Sequence, residues 1–423
     1  MPSGHLRVAD TAGAANAKEL ATNWRRVIID GMPFRFVPAF LLIAIAFAAI
    51  VPDLSALKDL YRTRVKQYGI VGSSFALIHN NEMISEEFYG DANREKSQKV
   101  DRNTTWHWAS ITKTFTGIAI MQLRDRGLLQ LDDAVVKYVP ELRAVHDPYG
   151  PIDAITIRQL MTHSAGFRGP TWPWGGDKPW EPFEPTKWSQ VVAMLPYTEI
   201  LFAPGSKHSY SNLGVVFLGQ IIERLTDDDY EVYIDKNIFK PLEMYHSYFD
   251  QSPYYLLKHR AAGYYRAAGE IKPAPFNFDS GITVSNGGLN APFPDMLKYL
   301  RFLIGDSRNE LYDQVLKRTS LEEMFKKQLP LASTDPSQGA PVPGKDWVGL
   351  SFFLHEDGGR LYIGHGGQQG GFISHFFVDP AGKSAYIVAF NTDITEGTPN
   401  TQSLDRELQE FMMKKILAPL AAR

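Results

Sequence analysis

The chain has 423 residues, with 44 Lys and Arg against 47 Asp and Glu, and its formal net charge is −3. It contains no cysteine, which excludes a disulfide framework, a thiol nucleophile, a zinc ribbon and an iron–sulfur cluster. The near-neutral charge argues against the basic surface that nucleic-acid binding requires. Hydrophobic residues at 44% and charged residues at 22% are typical of a globular protein, and the length favours more than one domain.

An uncharged apolar run lies near the N-terminus, over residues 36–51, and follows Arg25-Arg26. A membrane span needs about 20 residues, so the run is short for one. Its basic flank and the small-residue site Ala46-Phe47-Ala48 suit a signal peptide. We therefore expect residues 1–50 to be a signal or anchor segment and the protein to be exported, periplasmic or extracellular. A buried core helix and a retained anchor, with membrane association through residues 36–51, are the alternatives.

Periodic patterns predict strands near both ends of the remaining chain and helices between them. Strand-like runs flank Asn80-Asn81 near one end and residues 379–382 near the other, which predicts a hairpin at each place. Helical spacing predicts a helix over 54–68 and an amphipathic helix over 404–416. An antiparallel sheet from both chain ends, with a mainly helical insertion over about 110–300, is the simplest architecture and is an α+β fold.

The first of three chemical motifs joins Ser110 and Lys113, which begin a helical pattern that Gly127 ends. A spacing of three places both side chains on one face of the helix, at an end where backbone N–H groups favour negative charge. A serine hydroxyl needs an adjacent base to act as a nucleophile, and a desolvated lysine can supply one. The alternative is a plain N-cap serine with a solvated lysine; a second S-x-x-K match, Ser55 to Lys58, lies on the first predicted helix.

The second motif is Tyr210-Ser211-Asn212, which precedes an apolar helical pattern over 213–225. Residues two apart in an extended segment point the same way, so Tyr210 and Asn212 are predicted to face one site. A phenol can transfer a proton once a nearby lysine lowers its pKa, and an asparagine can hydrogen-bond a substrate carbonyl. The alternative is a loop in which Asn212 caps the following helix.

The third motif is Gly364-His365-Gly366-Gly367-Gln368. Glycines allow another backbone to come close, here at the edge of a predicted strand. The N–H after Gly367, that of Gln368, could form an oxyanion hole together with the Ser110 N–H. His365 would add a hydrogen-bond donor or a partial charge; the alternative is a glycine-rich turn with a solvent-facing histidine.

Four tryptophans and several prolines crowd the segment over 172–188, which therefore cannot be a regular helix. The segment is either a well-packed surface loop or an aromatic wall over a substrate cleft. On the second interpretation, Trp174 contacts the substrate and favours apolar acyl or alcohol groups.

Together and in this order, the three motifs resemble the S-x-x-K, Y-x-N and K-or-H-x-G elements of the penicillin-recognising serine hydrolases. The branch that the chain resembles contains class C β-lactamases, D-alanyl-D-alanine carboxypeptidases, D-aminopeptidases and family VIII carboxylesterases. Two further stretches are similar to that family: residues 156–167, and Asn286-Gly287-Gly288-Leu289 with Asp295-Met296 behind it. The resemblance extends from about residue 55 to about residue 417.

The resemblance implies a β-lactamase/transpeptidase-like fold with an antiparallel sheet flanked by helices. Residues 54–109 and 290–423 would form an α/β sandwich domain, and residues 110–289 a mainly helical domain, with the cleft between them. It also implies acyl transfer through an acyl-enzyme and hydrolysis by water, without a metal or a cofactor.

The resemblance assigns catalytic roles to three residues: Ser110 is the nucleophile, Lys113 its partner, and Tyr210 the general base and later the acid. The substrate-binding residues that it implies are Asn212, His365, Gly367 and Gln368.

One departure from the family pattern bears on the substrate. Relatives carry Lys or Trp where this chain has His365, and a neutral imidazole binds a carboxylate less well than an ammonium does. We therefore rank a carboxylesterase acting on small or medium acyl esters first. A D-amino-acid peptidase or DD-carboxypeptidase is second, and a weak β-lactamase is third.

Other classes fit the sequence less well. An α/β-hydrolase needs G-x-S-x-G and a zinc hydrolase needs clustered ligands such as H-E-x-x-H, and the sequence has neither. A catalytically dead scaffold is disfavoured because all of the motif residues are retained together. The expected partner is a small-molecule ester or peptide substrate, and no nucleic acid.

Overall fold

A nine-stranded antiparallel sheet is central to the computed structural model, which describes residues 54–171, 185–267, 269–274, 280–306, 308–331, 345–394 and 400–421. These residues belong to one compact unit, Pro52–Arg423. The predictions for residues 1–50 and for Trp174 lie outside the described residues. Within the described ranges, no helix combines the length and the apolar character that crossing a membrane requires.

The strands of the described chain belong to the large sheet and to two small ones. In chain order they are β1 (Gly72–His79), β2 (Glu82–Asn93), β3 (Gln98–Lys99), β4 (Thr105–His107), β5 (Tyr248–Phe249), β6 (Tyr264–Ala267), β7 (Glu270–Pro273), β8 (Leu289–Pro292), β9 (Leu329–Pro330), β10 (Asp346–Val348), β11 (Phe353–Asp357), β12 (Arg360–Gln369), β13 (Phe372–Asp379), β14 (Ser384–Phe390) and β15 (Thr392–Ile394). The large sheet has the order β3-β2-β1-β14-β13-β12-β11-β10-β9, and the small sheets are β15-β6-β7 and β4-β8-β5.

Both predicted hairpins are present. β1 and β2 are joined by Asn80 and Asn81, whose φ angles of 50° and 65° have the positive sign that a tight two-residue hairpin turn requires. β13 and β14 turn beside Asp379, whose Oδ1 accepts a hydrogen bond from the Gly382 N–H at 2.8 Å. β1 also pairs with β14, so the hairpins from the two ends of the chain meet inside the sheet.

The helices lie before, between and after these strands. They are α1 (Ser55–Tyr68), α2 (Thr112–Asp125), α3 (Ile157–Met161), α4 (Trp188–Met194), α5 (Asn212–Thr226), α6 (Tyr230–Ile234), α7 (Val284–Gly287), α8 (Phe293–Ile304), α9 (Asn309–Tyr312), α10 (Arg318–Met324), α11 (Thr401–Phe411) and α12 (Ala418–Ala421). The helices predicted from spacing correspond to α1, α2, α5 and α11.

α1 and α11 cover one face of the large sheet. Leu57, Tyr61 and Val65 recur at helical spacing on α1 and are fully buried. They form one apolar cluster with side chains of the sheet and with Leu404 of α11. The Tyr61 ring meets the Phe75 ring of β1 edge to face, at 4.7 Å between centroids. α1 and α11 each bury one apolar stripe against the sheet, which explains the clear helical spacing of apolar residues in their sequences.

α2 and α8 lie on the other face, within the larger core. The Phe115 ring of α2 stacks on the Tyr299 ring of α8 at 4.1 Å, and Tyr299 meets Phe376 of β13 edge to face. The spacing predicted one apolar face for α2, but every residue from Thr112 to Leu123 is buried. Threonines tolerate this burial because their hydroxyls bond to nearby carbonyls, as Thr114 Oγ1 does to Ile111 O at 2.8 Å.

The predicted fold class, an α+β fold with an antiparallel sheet flanked by helices, is confirmed. The proposed boundaries between the sandwich domain and the helical domain stay a prediction. The burial of α2 matters for the chemistry, because it places the first residues of this helix in the interior of the protein.

Candidate active site

Ser110 lies in a short 3₁₀ turn, Ala109–Ile111, that runs directly into α2. It therefore precedes the helix by two residues, whereas the sequence pattern predicted that it begins the helix. Ala109 has a φ of 46°, a left-handed conformation that costs free energy for a residue with a side chain. The Trp108 indole donates to Ala291 O at 2.9 Å and ties the entrance of this turn to β8.

Lys113 is buried, with 1% of its surface exposed, and its amine lies between two oxygen atoms. Nζ donates to Ser110 Oγ at 2.9 Å and to the Asn286 carbonyl oxygen at 2.7 Å. The two motif side chains thus meet, as their spacing predicts, and the alternative of a solvated lysine is wrong. An amine held against a serine hydroxyl is the pairing that nucleophilic catalysis by serine uses.

Asn286 contributes to the site through its backbone, and the sequence analysis gave it no role. It lies in the single turn α7, and two further hydrogen bonds join α7 and the start of β8 to α2. Thr116 Oγ1 donates to Ser285 O at 2.6 Å, and the Leu289 N–H donates to Thr112 Oγ1 at 3.1 Å. A carbonyl contact carries no side-chain signature, so only the fold reveals it.

The Tyr210 ring lies beside the same amine, with Lys113 Nζ 5.0 Å from the ring centroid. Tyr210 is in the loop that leads into α5. Ser211 caps that helix, since its Oγ accepts a hydrogen bond from the Gly214 N–H at 3.0 Å. The alternative in which Asn212 is the cap is therefore wrong, and Asn212 is the first residue of the helix.

A loop over 163–169 holds the Tyr210 segment through three backbone donors. The Ser209 N–H donates to His163 O at 2.7 Å, and the Ser211 N–H donates to His163 Nδ1 at 3.2 Å. The Asn212 N–H donates to Gly169 O at 2.8 Å. His163 was not among the predicted site residues. Its position within residues 156–167, the stretch that is similar to the family, was the available signal.

Asn212 and His365 each present a buried polar atom to which the described chain offers no hydrogen-bond partner, Oδ1 and Nε2 respectively. His365 Nδ1 lies 2.6 Å from Gly366 O, so Nδ1 carries the proton and Nε2 is an acceptor. The His365 ring is 6.4 Å from the Tyr210 ring and is 1% exposed, so the solvent-facing alternative is wrong. Burial, and then the Lys113 amine, lowers the pKa of His365 to about 3; the imidazole is neutral near pH 7.

Among the described residues, the last part of β12 has a strand partner on one side only, and its other side is next to the turn that contains Ser110. β11 pairs with β12 only as far as Phe353 opposite Gly364, whereas β13 pairs with β12 to its last residue. A Cβ on Gly367 would lie 2.2 Å from Trp108 O. The predicted close backbone approach is therefore present, and it depends on glycine at this position.

The Gln368 side chain is engaged beside this edge. Its Nε2 donates to Asp393 Oδ2 at 2.9 Å, and its Oε1 accepts from Gln402 Nε2 at 2.8 Å. What Gln368 can offer to a bound molecule is then its backbone N–H.

The structure thus brings Ser110, Lys113, Tyr210 and His365 together and places Gly367 against the turn before Ser110. In the described ranges, no three His, Asp or Glu side chains are grouped in a way that could hold a metal ion. The arrangement is a buried amine beside a half-buried serine and a half-buried tyrosine, with a buried, neutral imidazole at its border.

Replacement of Gly367 by alanine should lower the reactivity of Ser110 by about 10²-fold, because a displacement of about 1 Å has that effect on a reacting group. Gly366→Ala is the matched control, since its Cβ would come no closer than 3.7 Å to Ser374 O. The rate of labelling by a fluorophosphonate, which reacts with activated serines, measures the effect. Equal labelling rates in the two variants would contradict the prediction.

Acidification should destabilise the protein through its buried histidines. Burial lowers the pKa of His107 to about 4 and that of His365 to about 3, below the value of about 6.5 expected in the unfolded chain. Between about pH 6.5 and pH 4 the unfolded chain binds protons that the native chain does not, so the free energy of unfolding decreases as the pH falls.

The size of this effect can be measured with one variant. Between about pH 7.5 and about pH 5, His107 should account for a loss of about 2 kcal/mol in the free energy of unfolding. His107→Asn, which has no titrating group there, should lose that much less than the wild type in urea titrations at the two pH values. Equal losses would show that His107 is not neutral in the folded protein.

Comparisons with known proteins indicate the family of the chain. The family model described as beta-lactamase matches residues 57–420. Protein flp of Staphylococcus aureus (strain COL) is 33% identical over 195 residues, which are 46% of this chain and 38% of that protein. Beta-lactamase-like protein 2 of Dictyostelium discoideum is 27% identical over 293 residues, 67% of this chain and 50% of that protein. The chain thus matches half or less of the length of these relatives.

Solved structures show the same likeness. The octameric penicillin-binding protein homologue from Pyrococcus abyssi has a TM-score of 0.70 and 27% identity, over 80% of this chain and 74% of that one. A class C beta-lactamase has a TM-score of 0.69 and 20% identity, over 86% of this chain and 96% of that one, and shares the fold. Since the family model covers nearly all of the described residues, the chain belongs to the beta-lactamase family, a group of serine hydrolases.

Proposed function

We propose that the protein is a carboxylesterase that hydrolyses small or medium acyl esters through an acyl-enzyme on Ser110. The observation that carries the proposal is the 2.9 Å hydrogen bond from the buried Lys113 Nζ to Oγ of the half-buried Ser110. A serine hydroxyl attacks an ester only when a neighbouring group takes its proton. The Lys113 amine and the Tyr210 ring, 5.0 Å apart, are the groups that stand there.

In the acylation step Tyr210 acts as a phenolate that the positive charge of Lys113 stabilises. Ser110 Oγ bonds to the ester carbonyl carbon while its proton passes to the phenolate oxygen. The tetrahedral intermediate then collapses, the bond to the alcohol oxygen breaks, and Tyr210 returns the proton to that oxygen. Water attacks the acyl-enzyme in the same way and releases the carboxylic acid. The cycle restores the Ser110 hydroxyl and consumes one water for each ester.

The backbone N–H groups of Ser110 and Gln368 are the proposed donors to the negative oxygen of the intermediate. The close approach at Gly367, where a Cβ would meet Trp108 O, supports this assignment because it brings β12 beside the Ser110 turn. A donor of this kind contributes about 10²–10³ in kcat in serine hydrolases.

The neutral state of His365 supports an ester over a substrate that carries a free carboxylate. β-Lactams and peptides that end in D-alanine present a carboxylate, for which a cation is the stronger partner. His365 has a protonated Nδ1 bonded to Gly366 O, so its free Nε2 is an acceptor and repels a carboxylate oxygen. β-Lactam hydrolysis is accordingly third in our order of activities.

A D-amino-acid peptidase is the second candidate, and one observation favours it. Asn212 Oδ1 and His365 Nε2 are buried acceptors that the described residues do not pair, and the amide N–H groups of a peptide could satisfy such atoms. The identity of 27% to a penicillin-binding protein homologue is consistent with this candidate.

Three further parts of the proposal rest on the sequence alone. The aromatic segment over 172–188 would form a wall of the cleft, with Trp174 beside an apolar acyl or alcohol group. The apolar run over 36–51 would export the protein or hold it at a membrane. The partner would be a small ester or peptide.

Two substitutions test the chemistry directly. Ser110→Ala should abolish p-nitrophenyl acetate hydrolysis and fluorophosphonate labelling, and Lys113→Ala should lower the hydrolysis rate by about 10²–10⁴, the usual contribution of proton-transfer assistance. Lys58→Ala is the matched control, because Lys58 ends the second S-x-x-K match but forms an ion pair at 3.2 Å with Glu87, away from Ser110.

Lys58→Ala should keep the wild-type rate. Thermal unfolding of each variant separates a lost reaction from a lost fold. A folded Lys113→Ala variant with a near-normal rate, or unchanged labelling of Ser110→Ala, would remove the proposed mechanism.

A substrate panel tests the order of activities. We expect the kcat/KM for short p-nitrophenyl esters to exceed the values for D-alanine p-nitroanilide and for nitrocefin. An ester needs neither of the two buried acceptors, and the neutral His365 offers no positive charge to the carboxylate of nitrocefin. A higher kcat/KM for the D-alanine substrate would replace the esterase by the peptidase. A higher value for nitrocefin would show that His365 does not limit β-lactam turnover.

A further inference from the structure

His163 holds the backbone on both sides of Tyr210. Its carbonyl oxygen accepts a hydrogen bond from the Ser209 N–H at 2.7 Å, and its Nδ1 accepts one from the Ser211 N–H at 3.2 Å. Its ring also lies against the Tyr210 ring, with 4.4 Å between centroids and 34° between planes. One residue therefore fixes the phenol through main chain, side chain and ring contact together.

The backbone of His163 is itself in an unusual conformation. Its φ is 51°, in the left-handed region that residues with a Cβ seldom occupy. His163 follows the last turn of α3, and its N–H still donates to Leu160 O at 3.1 Å. The strained conformation therefore lies where the chain leaves this helix. Strain of this kind persists only where the surroundings impose it, and it is concentrated at functional positions.

Only one form of the imidazole fits these contacts. A backbone N–H can donate to Nδ1 only if Nδ1 carries no proton, so His163 is the neutral tautomer with its proton on Nε2. Burial, and then the basic groups of His208, Lys113 and His365, lowers the pKa of His163 well below its usual value. The acceptor is therefore present throughout the neutral pH range.

We propose that His163 is a positioning residue, whose neutral imidazole holds the Tyr210 phenol in place beside Lys113 and Ser110. It would act through Tyr210 and touch no reacting atom itself. This inference rests on the proposed function, in which Tyr210 takes and returns the proton.

Two substitutions separate the acceptor from the ring. His163→Asn keeps an acceptor near the position of Nδ1, and asparagine tolerates a positive φ. His163→Phe keeps a ring against Tyr210 but removes the acceptor. His375→Phe is the matched control, because it removes another imidazole, half-buried, that contacts Asp405 and Gln409 of α11.

The measurements are kcat and KM for p-nitrophenyl acetate and the midpoint of thermal unfolding. We expect His163→Phe to lower kcat by about 10²-fold with KM changed by less than about threefold, and His163→Asn to recover at least about tenfold of that loss. His375→Phe should keep the wild-type kcat. A wild-type kcat in His163→Phe, or an equal loss in the Asn and Phe variants, would overturn the inference.

A double-mutant cycle tests whether His163 acts through Tyr210. In the Tyr210→Phe background, the change His163→Phe should cause no further decrease in the rate of fluorophosphonate labelling. A decrease equal to that in the wild-type background would overturn the inference, since it would show that His163 affects the fold or Ser110 by another route.

The same labelling separates the two proposals. If wild-type Ser110 is not labelled, the proposed function fails, whatever the His163 variants do. If Ser110 is labelled and the His163 variants behave as the wild type, the hydrolase proposal stands and the positioning role fails.

Discussion

The buried amine of Lys113 is the constraint on which the whole site depends. An amine removed from water must find hydrogen-bond partners, because leaving it without them would cost several kcal/mol. Its partners are Ser110 Oγ, one helical turn away, and the carbonyl of Asn286, which is 173 residues away along the chain. Packing α7 against α2 therefore stabilises the fold and completes the hydroxyl–amine pair in a single event.

Much of the remaining frame consists of main-chain atoms. The carbonyls of Asn286, Gly366 and His163 accept bonds at the site, and the Trp108 carbonyl excludes any side chain at position 367. Such contacts depend on the course of the backbone more than on residue identity. This explains how a class C beta-lactamase at 20% identity can share the fold with a TM-score of 0.69.

The sequence predicted those parts of the molecule that depend on local spacing. A spacing of three residues in a helical conformation brings the side chains of Ser110 and Lys113 together. The pair Asn80-Asn81 specifies a tight turn whatever surrounds it. It failed where the outcome depends on distant packing. The choice of Ser211 over Asn212 as the cap was not predictable, because both residue types favour that position and the loop over 163–169 decides between them.

The roles of Asn286 and His163 were hidden for a related reason. A carbonyl acceptor can be any residue, and a left-handed φ at a histidine leaves no trace in composition. The full burial of α2 was also missed, because threonine is a polar residue, whereas the hydroxyls here find partners inside the protein, as Thr114 does at Ile111 O and Thr116 at Ser285 O. Periodicity reports which residues are apolar; it does not report what covers the polar ones.

The pairing of β1 with β14 has a consequence for folding during synthesis on the ribosome. The Gly72 N–H donates to Asn391 Oδ1, 319 residues further along, so the middle of the sheet cannot close until the chain has been synthesised beyond that residue. Until then β1 exposes an unpaired edge, which invites association with other chains. Synthesis of this protein is thus expected to leave a long interval in which the sheet itself does not yet protect the nascent β1–β2 hairpin.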